Sequence, residues 1–139
     1  MTDLQTAKKR LAGHSMALCK GESMLYSDRR GIAPMLNFIA EGVDLSGYSV
    51  ADQVVGKAAA MLFVKCGVKA VYAKTLSRYG KAVLEEHGIF FEYEVLTNAI
   101  MNRTGTDICP MEKTVMNTQD AEEAYRLLKQ KAESLRAAD

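Results

Sequence analysis

Residues 52–67, "DQVVGKAAAMLFVKCG", decide how this chain folds. Nine of the ten residues from Val55 to Val64 are apolar when Gly56 is counted with them. A helix on a surface keeps a polar face, whereas one that is apolar on nearly every side is surrounded by protein. The segment therefore reads as a helix at the centre of the fold, with Asp52 at its capping position. On its C-terminal side, "KAVYAKTL" (69–76) has the composition of a strand. "SRYGKAVLEEHG" (77–88) reads as a helix with Ser77 as N-cap and Gly88 as stop, and "IFFEYEV" (89–95) as a second strand. Such an alternation requires a parallel pair joined by a right-handed crossover.

On the N-terminal side, "TDLQTAKKRLAG" (2–13) places Thr2 and Gln5 in capping-box spacing and Leu4, Ala7 and Leu11 on one face, a short helix closed by Gly13. "SMALCK" and "SMLYS" flank Gly21-Glu22, the signature of a hairpin. Pro34 suits the first turn of a helix carrying Ile32, Met35, Leu36 and Ile39 that Gly42 ends, and "DLSGYS" (44–49) is a turn. At the far end, "TQDAEEAYRLLKQKAESLRAAD" aligns Ala121, Ala124, Tyr125, Leu128, Ala132 and Leu135 at helical spacing, with acids early and bases late. The sum is an α/β fold. A mixed sheet, an antiparallel hairpin continued by parallel strands, carries helices on both faces.

The 139 residues, 48% hydrophobic and 25% charged, match one globular domain. It divides into an N-terminal helix (1–13), a core (14–116) and a C-terminal helix (117–139). A net charge of +1 gives no global field toward nucleic acid or anionic membranes. Cys19, Cys66 and Cys109 are odd in number and form no CxxC pair, which points to a reducing compartment. The opening residues hold no signal-peptide core and no long apolar run follows, so the expected location is the cytoplasm.

"DQVVGKAAAML", "GVKAVYA", "HGIFFEY" and "NRTGTDICPMEK" together resemble an uncharacterised bacterial and archaeal family of unknown function assigned to the cytidine-deaminase-like superfamily. The resemblance covers roughly residues 14 to 116. It implies a three-layer α/β/α fold in which a hairpin is followed by a central helix, a strand, a helix and further strands. It does not imply deaminase chemistry. Zinc deaminases open the central helix with His-x-Glu or Cys-x-Glu and place Pro-Cys-x-x-Cys at the next strand-to-helix junction, because the metal needs three ligands and an open position for water. Aligned on those motifs, Val55 stands at the histidine, Lys57 at the glutamate, and Ser77 and Gly80 at the cysteines. No ligand is retained, so neither zinc nor another cofactor is expected, and zinc-dependent deamination is disfavoured. A phosphate P-loop is excluded as well, since Ala51 and Ala58 stand where GxxxxGK[ST] requires Gly and Ser or Thr.

Three groups remain. Lys57, inside an apolar helix, is either an anion-binding cation or a carbonyl-attacking amine, or else it snorkels or pairs with Asp52 about a turn and a half away. Gly56 beside it reads as a close-packing position. Cys109, before Pro110 and three residues from Glu112, sits at the N-cap of a helix "PMEKTVM", where the dipole favours a thiolate, or it is an inert packed cysteine. Asn102, Arg103, Thr104, Gly105, Thr106 and Asp107 form either a binding loop or a turn that hydrogen-bonds its own backbone. As a binding loop it offers a guanidinium fork for phosphate or carboxylate and a carboxylate for hydroxyl or amino groups.

The reading that unites them is a metal-free protein binding a small, nucleotide-like anionic molecule, with Asp52, Lys57, Ser77 and the loop lining one pocket. The alternatives are an enzyme with Cys109 or Lys57 as nucleophile, and a subunit acting through protein contacts. The expected partner is a phosphate- or carboxylate-bearing small molecule, with neither nucleic acid nor membrane; a homo-oligomer is compatible with the composition.

Overall fold

The computed structural model describes residues 1–137. Its sheet starts from the hairpin, β1 (Met16–Lys20) and β2 (Ser23–Ser27). A strand β3 (Ser49–Val55) pairs antiparallel with β1, and β4 (Ala70–Ser77) and β5 (Phe90–Thr97) follow in parallel. The order is β2-β1-β3-β4-β5. Central strands are covered on both faces, which is why "MALC" in β1 is buried without interruption. Met16 and Leu18 enter the main core, while Ala17 and Cys19 point the other way.

Five helices share the main core. They are α2 (Ala33–Ala40), α3 (Lys57–Cys66), α4 (Arg78–Glu86), α5 (Pro110–Val115) and α6 (Ala121–Ala137), contributing among others Met35, Phe63, Leu84, Val115 and Leu128. Every residue of α3 from Lys57 to Phe63 is buried, as its all-round apolar character requires. The opposite face carries α1 (Asp3–Arg10), whose Leu4 and Ala7 pack with Leu11 on Cys19, Ala51, Ala70 and Tyr72. Its Thr2–Gln5 capping box is formed as the spacing predicts. Of the expected C-terminal helix, residues 138 and 139 lie outside the described residues. Among the described residues, no helix is long and apolar enough to cross a membrane.

One element differs from expectation. Asp52 does not cap α3; it lies within β3, opposite Met16 on one side and Ala73 on the other. The true N-cap is Gly56, which contributes no side-chain bond. The strand is hidden in the sequence because Asp52-Gln53 interrupts its apolar run and Gly56 alone separates it from the helix, leaving no turn to mark the boundary.

Candidate functional site

A glycine N-cap leaves the first N–H groups of a helix to be satisfied from elsewhere. At α3 they are satisfied by Glu112 of α5. The Lys57 N–H donates to Glu112 Oε1 at 2.8 Å and the Ala58 N–H to Oε2 at 2.7 Å. Gly56 makes the room, since a Cβ there would overlap Oε1, stand 2.5 Å from the Glu112 Cδ and 2.8 Å from Ile100 Cγ1. Glu112 is only 4% exposed. Burial pushes its carboxyl above the usual range, opposed by the Ala58 and Lys57 N–H groups and by the Lys57 ammonium. Lys57, 7% exposed, turns its Nζ to the carbonyl of Met116 at 3.0 Å. It does not pair with Asp52.

The start of α4 closes the same region. Ser77 is the N-cap, its Oγ accepting the Gly80 N–H at 2.9 Å, so its hydroxyl is engaged within the turn. A Cβ on Gly80 would come within 2.9 Å of Gly56 C and O. The two helix N-termini therefore touch through glycines, with Glu112 inserted beside them.

Asp52 stands apart. It is 5% exposed and its Oδ2, fully buried, has no hydrogen-bond partner. Desolvation pushes its carboxyl up to about 8, against the pull of the Val54 and Gln53 N–H groups. Cross-strand partners share a face, so Asp52 points with Met16 and Ala73 into the main core, the face that α3 covers.

The 102–107 loop is the tip of a small ribbon joined by a Met101–Ile108 bridge. Its polar groups bond to one another: Asn102 Oδ1 accepts from Thr106 N and from the Thr104 hydroxyl, Thr104 and Thr106 share a bond, and Asp107 accepts from the Ile108 N–H and from Lys113. Gly105, at φ +70°, permits the reversal. Arg103 is exposed at the tip. Cys109 is the N-cap of α5, as its place before Pro110 predicts, and is half-buried with no side-chain capping bond. What converges on Lys57 is therefore the segment just after the loop, through Glu112 and Met116. The cavities described, about 330 Å³ beside α1 and β5 and about 430 Å³ between the ends of α2 and α3, are lined by other residues.

Residues 6–132 match the family described as TM1506, a domain of unknown function (DUF1893). The chain belongs to the DUF1893 family. The crystal structure of a DUF1893 family protein from Thermotoga maritima is similar at a TM-score of 0.85 and 28% identity, over 94% of this chain and 91% of that one. A dCMP deaminase from the cyanophage S-TIM5 gives a TM-score of 0.49 at 15% identity, over 64% of this chain and 94% of that one. No functionally curated protein matches.

In this DUF1893 chain the helix that follows the hairpin is α2, and the next strand-to-helix junction is β3–α3. Neither these two helix starts, at 32–34 and 55–59, nor Ser77 and Gly80 carry a thiol or an imidazole. Among the described residues no three His, Cys, Asp or Glu side chains cluster as a metal site. The carboxylate at the start of α3, Glu112, already accepts from two N–H donors beside an ammonium, a positive setting that opposes a bound cation. The donor set does not fit zinc.

Proposed function

We propose that this protein binds a small anionic molecule at the N-terminus of α3, and that Glu112 holds the site when the ligand is absent. The observation that carries this reading is the carboxylate of Glu112 on the Lys57 and Ala58 N–H groups. Two convergent N–H donors at the positive end of a helix, with a lysine side chain nearby, suit a carboxylate or one edge of a phosphate. Gly56, Lys57 and Ala58 form the floor. Glu112 rides on the short helix α5, so an outward shift of α5 would exchange one anion for another and carry the Arg103 loop with it. In this reading Asn102, Thr104, Gly105, Thr106 and Asp107 shape the loop, and Asp52 and Ser77 support the fold around the site. Cys109, half-buried, serves as N-cap rather than nucleophile.

Calorimetry with inorganic phosphate, nucleotides, sugar phosphates and their neutral parents tests it. Anions should bind and neutral parents should not. Glu112→Gln, which weakens the internal competitor, should tighten anion binding about tenfold, and Lys57→Met should abolish it. If Glu112→Gln leaves every anion unbound, Glu112 is a fixed cap and the reading fails.

A further inference from the structure

The three parallel strands begin at Ser49, Ala70 and Phe90, which are direct neighbours across β3, β4 and β5. Cross-strand neighbours share a face, and Ser49 also pairs with Cys19, so this row lies on the side that α1 covers. Adjacent strands are about 4.8 Å apart, which sets Ser49 and Phe90 roughly 10 Å from one another with only the Ala70 methyl between them. The cavity of about 330 Å³ opens over this row. Ser49 is 2% exposed, and its hydroxyl makes no hydrogen bond among the described residues. A hydroxyl left unpartnered at a cavity floor costs stability that a bound polar group would offset.

The wall above the floor is the first turn of α1, residues 2–5. Thr2 and Gln5 cap one another, which leaves the Asp3 and Leu4 N–H groups as free donors at the positive end of that helix. The Asp3 carboxylate is held by the hairpin, accepting from the Gly21 N–H at 3.3 Å. At the rim stand one cation, Lys69, and one anion, Glu92, neither in an ion pair among the described residues. Lys8, on the same face, lies 4.8 Å from the centre of the Tyr72 ring and does not line the cavity. Leu4 and Phe90 supply the apolar surface.

We propose that this cleft binds a free amino acid with an apolar side chain. Its carboxylate meets the Asp3 and Leu4 N–H groups, the Ser49 hydroxyl and Lys69; its ammonium meets Glu92; and its side chain lies on Phe90 and Leu4. A purely anionic ligand would be repelled by Glu92 and a purely cationic one by Lys69, so the paired charges select a zwitterion. The cleft lies at the start of β3 and the α3 anion site beyond the end of that strand, so the inference is independent of that site.

Leucine and phenylalanine, each titrated into the full chain and followed by amide chemical shifts, decide it beside their N-acetyl forms, which lack the ammonium, and their amides, which lack the carboxylate. At least one free amino acid should bind, with shifts centred on residues 3–5, 49, 69–70 and 90–92, and its blocked forms should bind about tenfold more weakly. Ser49→Ala removes an unpartnered hydroxyl, so it should leave the melting temperature unchanged while lowering affinity about tenfold. Glu92→Gln should weaken the free amino acid without weakening its N-acetyl form. Failure of both amino acids to bind at millimolar concentration, equal binding of the blocked forms, or unaltered affinity in Ser49→Ala would overturn the proposal.

Discussion

Gly56→Ala is the most informative single change in this molecule. The backbone at Gly56, φ −108° and ψ −166°, is extended and open to alanine, so any cost arises from contact alone. The new Cβ would overlap the Glu112 carboxylate and press on Ile100. Glu112 must then leave the Lys57 and Ala58 N–H groups. A hydrogen bond to a charged group contributes about 1.5–3 kcal/mol, and the burial that raises the Glu112 pKa places this pair toward the low end, so the expected loss is about 3 kcal/mol. For a chain of this size that corresponds to a fall in melting temperature of roughly 10 °C.

Glu112→Ala should cost a similar amount, because it strands the same two buried N–H groups. The decisive measurement is the double variant in urea or thermal unfolding. With the carboxylate already gone, the alanine Cβ meets only Ile100, so the double variant should lose about 3–4 kcal/mol rather than the roughly 6 expected of independent sites. Additive losses would refute the account of Gly56 as the residue that makes room for Glu112.

Asp52 gives a pH test. Its folded-state pKa of about 8 lies above the unfolded value, so the native state holds the extra proton; stability is intact at acid pH and declines between about pH 4 and pH 8 by a few kcal/mol, whereas Asp52→Asn should flatten that decline in urea melts. Gly80→Ala, which in an open helix would stabilise by about 1 kcal/mol, should instead destabilise by about 2 kcal/mol or more in thermal melts, because its Cβ meets Gly56 backbone at 2.9 Å. In alkylation near neutral pH followed by mass spectrometry, Cys19 should be the slowest thiol, since it is buried and both burial and Asp3 push its thiol up; a fast Cys19 would contradict its place under α1.

Several signals carried by residues a few positions apart agree with the structure. The Thr2–Gln5 box, the hairpin at Gly21-Glu22, the Ser77 cap and the Cys109-Pro110 start of α5 each depend on residues a few positions apart. Strand β3 was hidden because its polar pair Asp52-Gln53 breaks the pattern of a buried strand, and Asp52 looks like a cap only until its neighbours across the sheet are known. Glu112 was legible as an acid in the first turn of α5 but not as the cap of α3, because 55 residues separate it from Lys57. A hint existed nonetheless. A glycine before a buried lysine leaves N–H donors without a local acceptor, and an acid between Met111 and Val115 is an acceptor without a local donor.

That pairing bears on which chemistry the scaffold can support. A helix N-terminus already carries positive potential, and Lys57 adds a charge beside it, so the region favours anions whichever residue supplies them. Zinc chemistry would need thiolates or imidazoles dense enough to reverse that potential, and Val55, Gly56, Lys57 and Ala58 at the start of α3 supply none. Glu112 then supplies the negative charge the site attracts, at the cost of a desolvation visible in its raised pKa. A carboxylate held under that penalty is closer to balance with an external anion than one in water would be. The competition between Glu112 and phosphate is therefore the reaction to measure first.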